Sequence, residues 1–163
     1  MRANSCTPDI STRGLLAGAS FSDAFTIVLD EPGLDAPTAA IRAFASTPPW
    51  IARLLAVRNL LVRPFDLKGT DDVGRRATDR IGFFPCLSRT PDRVVMGFDD
   101  HHLDFRVAVD VTEAAGRCHV TATTVVRTHN AFGRAYLACI MPFHKLIVPT
   151  MLNRVPQPPR SSS

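Results

Sequence analysis

Lysine is nearly absent from this chain: Lys68 and Lys145 are its only two, and arginine carries the remaining positive charge. The formal net charge is just +4, and Arg2, Arg13, Arg154 and Arg160 lie toward the ends. No dense basic stripe with interleaved aromatics occurs, so the pattern does not ask for nucleic acid. Cys6, Cys86, Cys118 and Cys139 are widely separated, with neither a C-x-x-C pair nor the Cys/His spacing of a zinc site. No serine or cysteine sits in a nucleophile motif, and no glycine-rich loop of the dinucleotide or phosphate type is present. The first twenty residues contain Asp9, Arg13 and only the short apolar run Leu15-Leu16-Ala17, which is too weak for a secretory signal. These absences lead to a cytoplasmic protein with reduced thiols, no metal and no cofactor. The longest apolar stretch, Ala135 to Leu152, is interrupted by Pro142, His144, Lys145 and Pro149. Charge at mid-span is costly in lipid, so this stretch reads as a buried helix without stable membrane insertion.

What is present suits one domain: 163 residues, 45% hydrophobic and 21% charged. Residues 1–20 show no sustained period and read as a flexible leader, and 155–163 read as a Pro/Ser tail. Between them, 21–154 form a single ordered domain. Phe21 to Leu29 is a strand closed by Glu31-Pro32-Gly33. Asp35-Ala36-Pro37 starts a short helix carrying Ile41 and Phe44 on one side. After Thr47-Pro48-Pro49 a second helix places Ile51, Leu54, Leu55, Arg58, Leu61 and Val62 on one face and ends near Arg63, before Pro64. A polar connection over 66–78 precedes a run of strands: 80–89 bent around Pro85 or at an edge, then 93–98, then a turn or bulge around Asp99 to His101 leading into a strand ending near Val111, then 118–128. A helix from Phe132 to about Leu152, kinked at Pro142, closes the domain. Strands in a run beside segregated helices give an α+β class. A long apolar helix needs a broad surface, and a curved antiparallel sheet supplies one; this is the helix-grip, or START-like, arrangement.

Chemistry concentrates in two strand-like stretches, Asp99-Asp100-His101-His102-Leu103-Asp104-Phe105-Arg106 and Thr124-Val125-Val126-Arg127-Thr128-His129-Asn130. Alternation puts Asp100, His102, Asp104 and Arg106 on one face, with Leu103, Phe105, Val107 and Val109 on the other. The functional reading is a pocket wall in which an aspartate orients a histidine for proton transfer, with Arg127 or His129 alongside. The plainer reading is a solvated sheet face held by Asp–Arg pairs worth about 0.2–1 kcal/mol each. A metal held by Asp100, His102 and Asp104 is disfavoured because ligands on one flat strand rarely converge. Asn130 suits a helix N-cap. Arg134 and Tyr136 follow it near a cavity mouth, and His144 points inward with a hydrogen-bond partner.

These two stretches, with Gly133-Arg134-Ala135-Tyr136-Leu137, Pro142-Phe143-His144-Lys145-Leu146-Ile147-Val148 and Pro48-Pro49-Trp50, resemble domain-of-unknown-function family 2867 over roughly residues 21–154. The resemblance implies a START-like fold and a bacterial protein. Some members are fused behind an NAD-binding reductase or epimerase domain, which this chain lacks. Three functions follow as expectations. The first is binding of a small hydrophobic or amphipathic ligand between sheet and terminal helix, with Asp100, Arg106, Arg134, Tyr136 and His144 as contacts. The second is an acid–base enzyme, a cyclase, dehydratase or isomerase, using His102, Asp104, Arg127 and His129. The third is an accessory module for a reductase or epimerase partner. The sequence does not specify an oligomeric state.

Overall fold

A computed structural model describes residues 2–9, 14–62 and 79–156. The expected polar connection over 66–78, the side chains of Leu55, Arg58, Leu61 and Val62, and the tail from 157 lie outside the described residues. The elements run β1 (Asn4–Cys6), β2 (Phe21–Leu29), α1 (Ala36–Phe44), α2 (Pro49–Val62), β3 (Arg80–Ile81), β4 (Phe84–Arg89), β5 (Arg93–Asp99), β6 (Leu103–Ala114), β7 (Arg117–Thr128) and α3 (Ala131–Leu152). The strands build one seven-stranded sheet in the order β1-β2-β7-β6-β5-β4-β3, every pair antiparallel. The class is α+β, an open antiparallel sheet with the helices gathered on one side.

The long β6 and β7 strands meet through the two-residue turn Ala115-Gly116, flanked by the Ala114 and Arg117 pair. Both turn residues have positive φ, 51° and 72°, as a type I′ turn requires to match the sheet twist. Strict alternation then sorts β6: Leu103, Phe105, Val107, Val109 and Val111 face inward, while Asp104, Arg106 and Asp110 face outward. The inner face carries a core of Phe25, Ile27 and Leu29 from β2, Val94 and Met96 from β5, and Val120 and Ala122 from β7. Against it lie Ala36, Ala39, Ala40 and Ala43 of α1, all fully buried at helical spacing. Asp35 caps that helix by accepting the Thr38 backbone N–H at 2.7 Å. The strand expected over 80–89 divides into β3 and β4, so Pro85 sits not on the edge strand but in β4, opposite Arg80 of the two-residue β3, with a register shift between Cys86 and Ser88.

Three expectations change. Within residues 1–20, taken as a leader, Asn4–Cys6 pairs with Ala24–Thr26 of β2 as an added edge strand. Three polar or small residues have too little periodicity to be read as a strand; pairing with β2 makes them one. The turn expected around Asp99 to His101 is present and takes in His102: residues 100–102 form the connection between β5 and β6, closed by Asp100 N–H donating to the Leu103 carbonyl at 3.1 Å. Alternation therefore does not apply to Asp100 and His102. The apolar terminal helix runs as one unit through Pro142 and Pro149 but is buried only at its ends, at Gly133, Val148, Met151 and Leu152. Phe143 and Leu146, on its outer side, are 49% and 57% exposed. By length and composition α3 is apolar enough to cross a membrane, while packing against the sheet through β7 and β2.

Candidate functional site

The β5–β6 connection holds the start of α3. The His129 backbone N–H donates to the His102 carbonyl at 2.9 Å, and the His102 ring lies 4.8 Å from that of Phe132. Asn130 caps the helix: its Oδ1 accepts the Gly133 N–H, and its Nδ2 sits 2.9 Å from His102 Nδ1. An amide that accepts through oxygen must donate through nitrogen, so His102 Nδ1 is the acceptor and its proton resides on Nε2. Asp100, 8% exposed, folds back onto the His101 N–H at 2.6 Å. These side chains hold a joint between sheet and helix.

On the outer face, Asp104 is 5% exposed and receives Arg127 Nη2 at 2.7 Å on one oxygen and His129 Nε2 at 3.0 Å on the other. Burial pushes the Asp104 carboxyl upward. The hydrogen bonds and charge of His129 and Arg127 outweigh it and hold the group below its ordinary range. Arg127 also donates to the Ala17 carbonyl, joining the segment before β2 to the sheet. Arg106 pairs with Asp99 while donating to the carbonyls of Phe98 and Phe105, and Arg93 pairs with Asp110. The outer face of β5–β7 thus carries Asp–Arg pairs, but it is not the solvated face of the plainer reading, since Asp104, Ala108, Thr123 and Val125 on it are buried.

The inner face opens a cavity of about 160 Å3 under the first part of α3. Phe83, Phe84, Phe98 and Phe105 form one wall, and Tyr136, Leu137, Ile140, Met141 and Ile147 of α3 form the roof. Phe84 stacks on Phe105 with ring centres 5.8 Å apart, so that wall is continuous. Among apolar neighbours stand Thr124 and His144, which also line the space. His144 Nε2 lies 3.0 Å from Asp23 Oδ1, and the imidazole meets Phe21 edge-on. Asp23 is the direct cross-strand partner of Thr124. Thr124 Oγ1 and Asp23 Oδ2 are buried without hydrogen-bond partners.

Of the residues singled out in the sequence, Tyr136 and His144 reach this cavity. Asp104, Arg127 and His129 come together, but on the opposite side of the sheet; Arg106 is on that outer side too, and Arg134 is exposed on the first turn of α3. His102 and Asp100 sit in the β5–β6 connection; His102 meets His129 through its backbone carbonyl, while its ring is bonded to Asn130 rather than to Asp104. None of His102, Asp104, Arg127 and His129 is among the residues that line the cavity described above. Asp23 and Thr124 were missed. An aspartate at an inward position of an otherwise apolar strand was their one legible signal, since Asp23 shares its face with Phe21, Phe25 and Ile27.

The sequence profile of the family described as "Protein of unknown function (DUF2867)" matches residues 15–151, and the chain belongs to that family. No curated protein matches it. Among solved structures, the crystal structure of CalU16 from Micromonospora echinospora is similar, at 11% identity over 83% of this chain and 82% of that one, with a TM-score of 0.32.

Proposed function

We propose that this domain binds a small, mainly apolar molecule between the inner sheet face and α3, in a helix-grip arrangement within the cytoplasm. The observation that carries this reading is the aromatic-walled cavity with polar side chains at one end, the usual composition of a small-molecule site. Its position follows from how α3 is fixed. The His102, Asn130 and Gly133 joint secures the N-terminal end, while Met151, Leu152 and Val155 are buried in the core at the other. The stretch between, Tyr136 to Ile147, spans the cavity, so the space survives because its roof is held from both sides. A volume of about 160 Å3 is close to the ~150 Å3 of an engineered apolar cavity that accepts benzene. It is below the roughly 300–1,000 Å3 of sites for drug-sized ligands. The occupant is thus a single ring or short chain, or that part of a larger molecule.

Ligand-observed NMR with a library of monocyclic and short-chain compounds tests the proposal. Binding should be displaced in Leu103→Trp, which fills the cavity floor; binding that survives this substitution, or no binding by any compound, would overturn the assignment.

A further inference from the structure

Helix α3 buries only its sheet side, and its other side is apolar yet open. Ala135, Ala138, Cys139, Pro142, Phe143 and Leu146 are exposed there, Phe143 at 49% and Leu146 at 57%. At 3.6 residues per turn these positions form a single stripe about 17 Å long. Arg134 and Lys145 are exposed as well and stand three turns apart, so both lie on the same flank of that stripe. Arg93, Arg106 and Arg127 of the sheet each pair with a carboxylate, whereas neither Arg134 nor Lys145 forms an ion pair among the described residues. From Ala131 to Leu152 the helix contains no aspartate or glutamate. An apolar stripe edged by cations alone complements a partner that is hydrocarbon inside and anionic at its surface.

We propose that α3 lies along the surface of an anionic phospholipid bilayer, with Pro142, Phe143 and Leu146 among the upper acyl chains and Arg134 and Lys145 at the headgroups. The helix lies on the bilayer and does not cross it, because its inner side is committed to the cavity roof and, at Val148, Met151 and Leu152, to the protein interior. Arginine and lysine suit the flank, since their methylenes follow apolar surface while the charge stays in water. A second copy of the chain fits the stripe poorly. Antiparallel pairing of two α3 stripes would set Arg134 of each copy beside Lys145 of the other, with no acid on the helix to offset the repulsion. Arg134, Phe143, Lys145 and Leu146 do not line the cavity, so this inference is independent of the ligand reading. It does place the cavity roof next to a reservoir of apolar molecules.

Co-flotation of the full chain with phosphatidylcholine vesicles, and with vesicles containing about one third phosphatidylserine, tests this. Binding to the anionic vesicles should be roughly ten- to thirtyfold tighter, the order for two cations at a charged surface, and should weaken as salt rises. The double variant Phe143→Ser, Leu146→Ser should lose binding to both vesicles. Arg134→Gln with Lys145→Gln should instead remove the preference for anionic lipid. All four side chains are exposed, so both variants should keep the urea midpoint of the wild type, which separates lost contact from lost fold. No flotation with either vesicle, equal binding to both, or undiminished binding by the serine variant overturns the proposal. So does a dimer in sedimentation that the serine variant dissociates, which would give the stripe to a second copy.

Discussion

Asp104 is the residue whose surroundings differ most from those of an ordinary strand aspartate. It is nearly solvent-free, yet Arg127 and His129 are 41% and 31% exposed at their side chains, so water screens part of each attraction. Replacing it by asparagine keeps the shape and one acceptor, and should cost about 1–2 kcal/mol in urea unfolding near neutral pH. The pH dependence has a definite sign. The folded carboxyl titrates below its ordinary value of 3.8, so on acidification the unfolded chain takes up the proton first. The stabilisation is therefore complete well above that value and is lost as pH falls through it and then through the depressed folded value. The gap between wild type and Asp104→Asn should close on going from about pH 6 toward pH 3; a constant gap would show that the charge is not its source. The pairing of Asp104 with Arg127 was legible in alternation plus the hairpin between their strands. His129 was also named as a neighbour; that it takes the second Asp104 oxygen was not legible, because it lies beyond the end of β7, where periodicity stops.

Among the elements, α3 depends on its first turn. Asn130→Ala removes both the cap and the partner of His102 Nδ1, and should lower stability by about 1 kcal/mol, within the 0.5–2 kcal/mol range of lost caps. Gly133→Ala acts differently. A methyl there would stand 2.2 Å from the His102 carbonyl oxygen, so helix and connection must part. The expected loss is about 1–3 kcal/mol, with increased hydrogen exchange confined to the first turns of α3 and the β5–β6 connection. Alanine is ordinarily the better helix former by roughly 1 kcal/mol, so a stabilised Gly133→Ala protein would disprove the close contact. Helix α1 shows the same dependence on close approach. Ala36, Ala39, Ala40 and Ala43 bring its axis near the sheet, and Ala40→Leu should cost about 1–3 kcal/mol by overpacking, read as a lower urea midpoint. The helical period of these alanines was visible in the sequence. What they touch was not.

For the molecule as a whole, the cavity proposed as a ligand site carries a cost in stability. The buried, unmatched Thr124 hydroxyl is a standing cost to the fold. Thr124→Val should accordingly raise stability by about 1 kcal/mol, the gain from removing an unmatched buried polar atom. Thermal unfolding of both proteins checks this. A less stable valine variant would mean that the hydroxyl is already satisfied. The free thiols fit the same division between fold and site. Cys118 is fully buried, and burial pushes its thiol upward, making it an inert packing group.

The sequence by itself determined most elements from Phe21 onward, though not the division of 80–89 into β3 and β4, and with them the segregation of helices from strands and the inward set of β6, because these depend on local periodicity, caps and turns. Family membership was legible for the same reason, resting on motifs contiguous along the chain. Only the tertiary structure decided the site. Thr124 of β7 and His144 of α3 line one cavity, with Asp23 of β2 bonded to His144, and no spacing along the chain records the strand pairing and helix docking that bring them together. Conversely, the Asp–His–Arg cluster that looked chemical in one dimension was assigned to the outer sheet face. A strand has two sides, and the apolar side of β6 took the core.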